Sequence, residues 1–224
     1  MSLETLLADR LGYECRNPEL LQRALRHRSS GSRNNERLEF LGDAVLGLII
    51  ARELFQRDPD FSEGDLSRLR ASLVNRDALA ELGTELTLGE YVDLGPGELK
   101  SGGYRRKSIL ADTLEAVIGA IYLDGGYRVA EAAIQRLYAE RLADLPAPET
   151  LKDPKTRLQE HLQARSQPLP LYETIEHRGP PHDPVFTVNA SIEALGLNVT
   201  ATGRSRRVAE QQAASELLSR LIDG

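Results

Sequence analysis

The chain has 224 residues, 41% of them hydrophobic and 28% charged, with a net charge of −6. That is the balance of a globular protein with one domain, or one large and one small. No apolar run approaches the roughly 18 residues of a membrane span, and a single cysteine, Cys15, excludes an intrachain disulfide. The N-terminal stretch lacks a basic region and a small-residue cleavage site, so no secretion signal is expected, and the expected compartment is the cytoplasm. The global charge argues against a nucleic-acid binder, but its distribution says more. Residues 1–150 hold 19 Lys and Arg against 25 Asp and Glu, hence −6, and the remainder hold nine of each. An acidic first part is also what a metal site built from carboxylates produces.

Apolar residues recur at helical spacing from Leu3 to Leu25, Leu38 to Phe55, Leu66 to Leu82, Ile109 to Leu123 and Val129 to Leu142. Asn17-Pro18, Gly31, Asp58-Pro59, Gly64 and Gly95-Pro96-Gly97 interrupt them. An all-α domain over 1–144 is therefore predicted. Residues 145–152, rich in proline and poor in apolar period, read as a linker. Beyond it the period changes. Asp153 can cap a helix with Pro154 in its first turn. Leu171–His177 reads as a strand, Val185–Glu193 places Phe186, Val188 and Ala190 on one face, and Leu197, Val199 and Ala201 continue at period two. A last helix starts at Ser205. Residues 153–222 thus read as a small α-β-β-β-α domain.

The segment NNERLEFLGDAVLGLIIARE carries the most chemistry. On a helix Glu36, Glu39, Asp43 and Gly47 share one stripe, and Leu38, Leu41, Val45, Leu48 and Ile49 cover the other side. No charge occurs between Asp43 and Arg52, so this helix is expected to be buried. SILADTLEAVIGAIYLDGG repeats the design. Asp112, Glu115 and Gly119 share a stripe, and the two acids are the only charges from Ser108 to Leu123. Gly47 and Gly119 each sit one turn past their acids, where a small residue lets helices approach. An isolated E-x-x-E usually marks a solvated face. Two nearly apolar helices carrying it point instead to enclosed carboxylates, which cannot all ionise without a counter-charge. Oxygen-only ligands suit a hard cation, Mg²⁺ or Mn²⁺, rather than zinc. Such an ion can acidify a water and stabilise phosphoryl oxygens in an in-line displacement.

ERLEFLGDA at Glu36–Ala44 resembles the ribonuclease III signature. LLQRALRHRS before it, EGDLSRLRASLVN at Glu63–Asn75 and KSILADTLEAVIGAIYLDGG at Lys107–Gly126 resemble the same family, in order. The resemblance implies an endonuclease that hydrolyses double-stranded RNA, leaving 5′-phosphates, 3′-hydroxyls and two-nucleotide 3′ overhangs. It implies a central metal site of Glu39, Asp43, Asp112 and Glu115, with Asp43 and Glu115 most tightly tied to the chemistry, and Glu36 and Glu63 as peripheral acids. Glu63 is also explained by the dipole of a helix start. The family further implies a homodimer, with Phe40 packing across its interface, and work on ribosomal RNA precursors and other transcripts.

The C-terminal region resembles a double-stranded RNA-binding domain. Thr156, Gln159, Glu160 and Gln163 share a helical stripe suited to 2′-hydroxyls of a minor groove. His182 sits in the loop RGPPHDP, facing a neighbouring groove. Arg204, Arg206 and Arg207 stand at a helix start where phosphates bind. Many relatives carry Lys-Lys where this chain has Arg206-Arg207, which keeps the charge. The alternative function is a non-cutting RNA-binding protein on a relic nuclease fold, but a relic should have lost acids that this chain keeps. His182-Asp183 has no second His-Asp pair to make a metal phosphohydrolase, no P-loop is present, so no nucleotide cofactor is expected, and His27 reads as a helix-end histidine. Ser101–Lys107 reads as a flexible basic loop that touches RNA.

Overall fold

The computed structural model describes residues 2–180 and 182–223, and these fall into two compact units, Met1–Pro148 and Glu149–Gly224. The first is entirely helical: α1 (Leu3–Leu11), α2 (Pro18–Leu25), α3 (Glu36–Arg57), α4 (Glu63–Val74), α5 (Arg76–Glu85), α6 (Pro96–Lys100), α7 (Lys107–Leu137) and α8 (Ala139–Ala143). The helix starts follow local chemistry. Ser62 and Asp65 close a reciprocal capping box on α4. Leu66–Leu82, continuous in apolar period, is two helices, because the Asn75 side chain accepts from the Ala78 N–H at 3.0 Å and starts α5.

Helices α3 and α7 form the central pair. α7 contributes Leu114, Val117, Ile118 and Ile121 to the core, and α3 contributes Leu38, Leu46, Ile49, Ile50 and Leu54. Gly126 adopts φ 76° and kinks α7, a backbone state that a side chain would resist. The two helices touch backbone to backbone. A Cβ on Gly42 would run into the Glu115 carbonyl oxygen, and one on Gly119 into the Leu38 carbonyl oxygen. The expectation for Gly119 is met. That for Gly47 is not: a Cβ there meets nothing within 4 Å among the described residues, and Gly42 makes the approach. The expected burial of α3 is also only half realised. Phe40, Leu48 and Phe55 are 80%, 59% and 72% exposed.

The second unit is α9 (Pro154–Gln163), β1 (Leu171–Arg178), β2 (Val185–Ile192), β3 (Leu197–Gly203) and α10 (Arg206–Asp223). The sheet is antiparallel in the order β1-β2-β3, with an irregularity in β1 between Thr174 and Glu176. Ala190, Ile192 and Val199 pack with Leu158 and Leu162 of α9 and Ala213, Ala214 and Leu217 of α10, and Val188 on the same face of β2 is also buried. Asp153 caps α9, accepting from the Thr156 N–H at 3.1 Å, as its place before Pro154 predicts.

The two glycines give opposite expectations. Gly42→Ala forces α3 and α7 apart and lowers unfolding free energy by about 3 kcal/mol. Gly47→Ala, an unobstructed helical site, raises it by up to ~1 kcal/mol. Urea melts of the two variants check both, and equal effects would contradict the assigned contact.

Candidate functional site

The close approach of α3 and α7 sets the site. One turn before Gly42, Glu39 leaves α3. One turn and two turns before Gly119, Glu115 and Asp112 leave α7. A carboxylate oxygen of each of the three lies within 4.8 Å of the others. Among the described residues no side chain donates a hydrogen bond to them and no cation stands within ion-pair distance. The consequence is electrostatic. Burial, then the charges of Asp43, Glu39 and Asp112, push the Glu115 carboxyl from its ordinary 4.5 up to about 8. Burial, then Asp112 and Glu36, raises Glu39, and burial raises Asp112. At neutral pH a divalent cation would relieve this stress, and an all-oxygen set suits a hard one. The residues present therefore fit a metal.

Asp43 is the predicted acid that stands apart. It is exposed and outside the trio, yet after burial its charge is the strongest influence on Glu115. It borders the site and faces outward. Glu36 lies at the mouth. It is exposed, accepts from Asn34 Nδ2 at 3.0 Å and, with Glu39 and Asp112, lines a cleft of about 430 Å³. Glu63 is elsewhere. It accepts from Ser67 Oγ at 2.7 Å and borders a separate shallow groove with Phe55 and Arg70. Phe40 points away from the core, next to the acid stripe.

In the second unit Gln159, Gln163, His182, Arg204 and Arg207 are exposed, and Pro181 of the His182 loop lies outside the described residues. Three predicted contacts are engaged within the chain. Thr156 Oγ1 donates to Asp153 at 3.0 Å, Glu160 holds Lys152 at 2.7 Å, and Arg206 Nε donates to Glu210 at 2.8 Å. Glu210 also holds Lys155 at 2.8 Å, and the two cations keep its carboxyl below the usual range. Ser101–Lys107 is less free than expected of a loop: Arg106 pairs with Glu98 at 3.0 Å and Lys107 with Asp77 at 2.7 Å.

Several site residues escape the sequence reading. Asn35, Arg28 and Arg76 line the acid cleft, and so does His27, read above as a helix-end residue. His27 does cap a 3-10 turn, its Nδ1 accepting from the Ser29 N–H at 3.2 Å. One readable sign was present: Arg76, Arg106 and Lys107 stand at the starts of helices, where the dipole disfavours cations.

The Ribonuclease-III-like family matches residues 17–142, and the double-stranded RNA binding motif matches residues 154–221. The chain is 57% identical over 217 residues to Ribonuclease 3 of Alkalilimnicola ehrlichii, covering 97% of this chain and 95% of that one. It is 51% identical over 218 residues to Ribonuclease 3 of Vibrio vulnificus, covering 97% of each. Among solved structures, the nuclease domain of ribonuclease III from Campylobacter jejuni superposes with a TM-score of 0.61 at 42% identity, over 65% of this chain and all of that one. A second structure of that domain gives 0.60 at 44% identity, over 62% of this chain and 98% of that one. With the carboxylate trio seated on its paired helices and the RNA-binding motif following it, the chain belongs to the ribonuclease III family.

Proposed function

We propose that the chain hydrolyses phosphodiester bonds of double-stranded RNA with a divalent cation, Mg²⁺ or in its place Mn²⁺, held by Glu39, Asp112 and Glu115, with Asp43 completing the site from its edge. The carrying observation is the trio itself: three carboxylates from two helices, within 4.8 Å, without a cationic partner among the described residues. When bound, the ion supplies an acidified water and screening for the phosphoryl oxygens. The chain's own groups do the rest. Backbone contact between α3 and α7 fixes the spacing of the acids, and the carboxylate of Glu115, which in the metal-free protein is pushed toward its protonated form, would be ionised on binding the cation. The products carry 5′-phosphates and 3′-hydroxyls.

A second copy of the chain supplies the other cut. Phe40, Ala44, Leu48, Ala51 and Phe55 fall within one stripe of α3, and its three large members are exposed. A stripe of that size on a helix marks a protein contact. One Campylobacter jejuni nuclease-domain structure is described as flexible in a region involved in dimer formation, which supports the same assembly here. Two sites acting on opposite strands give the two-nucleotide 3′ overhang. The second unit, 149–224, carries the duplex, reading its shape through Thr156, Gln159, Gln163, His182 and the Arg204–Arg207 turn. The expected setting is the cytoplasm, and the expected substrates are ribosomal RNA precursors and other structured transcripts.

Glu115→Gln tests the reaction. With Mg²⁺ and a long duplex, cleavage falls about 100-fold or more while binding persists. If the unaltered protein binds without cutting, the nuclease reading is wrong. The same variant has a second signature. In metal-free protein only the folded state holds the Glu115 proton between pH 4.5 and about 8, so stability falls as pH rises through that window. Thermal melts show the fall in the parent and a smaller one in the variant.

Phe40→Asp separates the copies. Sedimentation then gives a monomer with intact helical circular dichroism, and a dimer of unchanged affinity rules out this face.

Glu210→Gln frees Arg206 and Lys155 for phosphates. Duplex affinity rises several-fold and the salt slope steepens by up to about one unit. Weaker binding would mean that Glu210 orients the cations rather than restraining them.

A further inference from the structure

The cleft beside the acids is also a cationic one. His27, Arg28, Arg76 and Arg106 line it together with Glu36, Glu39, Glu98 and Asp112. These charges pair unevenly. Arg28 Nη1 reaches Glu36 only at 4.0 Å, the outer limit of an ion pair. Arg106 is occupied by Glu98. Arg76 makes no hydrogen bond or ion pair among the described residues, although its charge lowers the proton affinity of Asp112 and Glu115. Helix stability does not explain it either. Arg76 is the first residue of α5, at the end of the dipole where a cation is disfavoured.

Asn35 adds an independent observation. It lines the same cleft, is 2% exposed, and its side-chain Nδ2 is buried without a hydrogen-bond partner. An amide donor left unsatisfied in the interior is costly unless a ligand uses it. The cleft thus offers carboxylates for a cation and, separately, two guanidinium groups and an amide donor for an anion. A nucleic-acid strand presents both needs at once: the phosphate being cut at the cation, and the next phosphate one nucleotide away.

We propose that Arg28, Arg76 and Asn35 form a phosphate subsite that holds the backbone phosphate adjacent to the scissile one on the strand being cut, and so positions the scissile bond over the acids. These are positioning residues, and the inference rests on the nuclease reading above.

The test is a cycle between protein and substrate. Duplexes carry one neutral methylphosphonate in turn at each phosphate flanking the cut, and are cleaved under single turnover with saturating protein and Mg²⁺. One adjacent position is expected to slow the parent protein about tenfold, the scale of a lost charged hydrogen bond. Arg76→Ala should slow the unmodified duplex by a similar factor with an unchanged melting temperature. Combining the two should slow cleavage no further than either alone. Multiplicative losses at every position, or parent-like cleavage by Arg76→Ala, overturn the subsite. So does a protein in which inorganic phosphate competes through Arg76 while no methylphosphonate has any effect, since the anion is then free phosphate. Should Arg76→Ala melt early, Arg28→Ala, an exposed substitution, runs the same cycle. Failure of the parent to cut the unmodified duplex would instead sink the nuclease reading.

Discussion

The backbone contact between α3 and α7 governs the rest of the catalytic unit. Two helices can meet this closely only where neither carries a side chain, and Gly42 and Gly119 provide that on opposite sides of one crossing. The contact places the turn of α3 that bears Glu39 against the turns of α7 that bear Asp112 and Glu115. Like charges are forced together by packing, and packing must outweigh their repulsion. The large apolar surfaces that the two helices bury below the crossing are what can do so. The strain sits in the proton affinity of Glu115, so the core's stability maintains a site that wants a cation.

This explains which parts of the site were legible in the sequence. Acids at i and i+3 on nearly apolar helices declare both the helix type and the enclosed carboxylates, because period and burial cost are local facts. The partner glycine is not local. Gly42 and Gly47 look alike in sequence, and only the crossing point selects Gly42. The outward turn of Asp43 has the same origin: on a stripe of four positions the crossing admits some inward and leaves others at the rim. Leu48 and Phe55 belonged by composition to a core, but α3 has more apolar circumference than one chain can cover. The surplus is the exposed apolar stripe of Phe40, Leu48 and Phe55.

The RNA-binding unit shows the complementary limit. Its strands and helices follow from alternation, a capping aspartate and a proline in the first helical turn. Its electrostatics depend on pairs. A sequence count over residues 151–224 gives nine cations against nine acids, and the structure shows where some of the cancellation occurs, in Glu210 holding Lys155 and Arg206 at once. Arg204 and Arg207 remain exposed on the same turn. On the proposed reading, duplex binding would fall to a few uncommitted groups on a neutral background, which would favour recognition of groove shape through hydroxyl and amide contacts over attraction at long range.

The acid cleft inverts that arrangement. In the RNA-binding unit opposite charges stand close and pair. In the cleft only Arg106 pairs closely, with Glu98, while Arg76 stays uncommitted among the described residues and Arg28 is barely in reach of Glu36. Charges that neutralise one another contribute little to a ligand. Charges held apart by rigid helices keep their fields for whatever enters. Arg76 is fixed by the start of α5 and Arg28 by the 3-10 turn that His27 caps, while the acids are fixed by α3 and α7. A polyanion that must bring a cation with it matches both halves, whereas a simple metal or a simple anion matches only one. The separation of charge across the cleft therefore selects for the backbone of a nucleic acid, and the helical frame preserves that selection by preventing the two halves from collapsing onto each other.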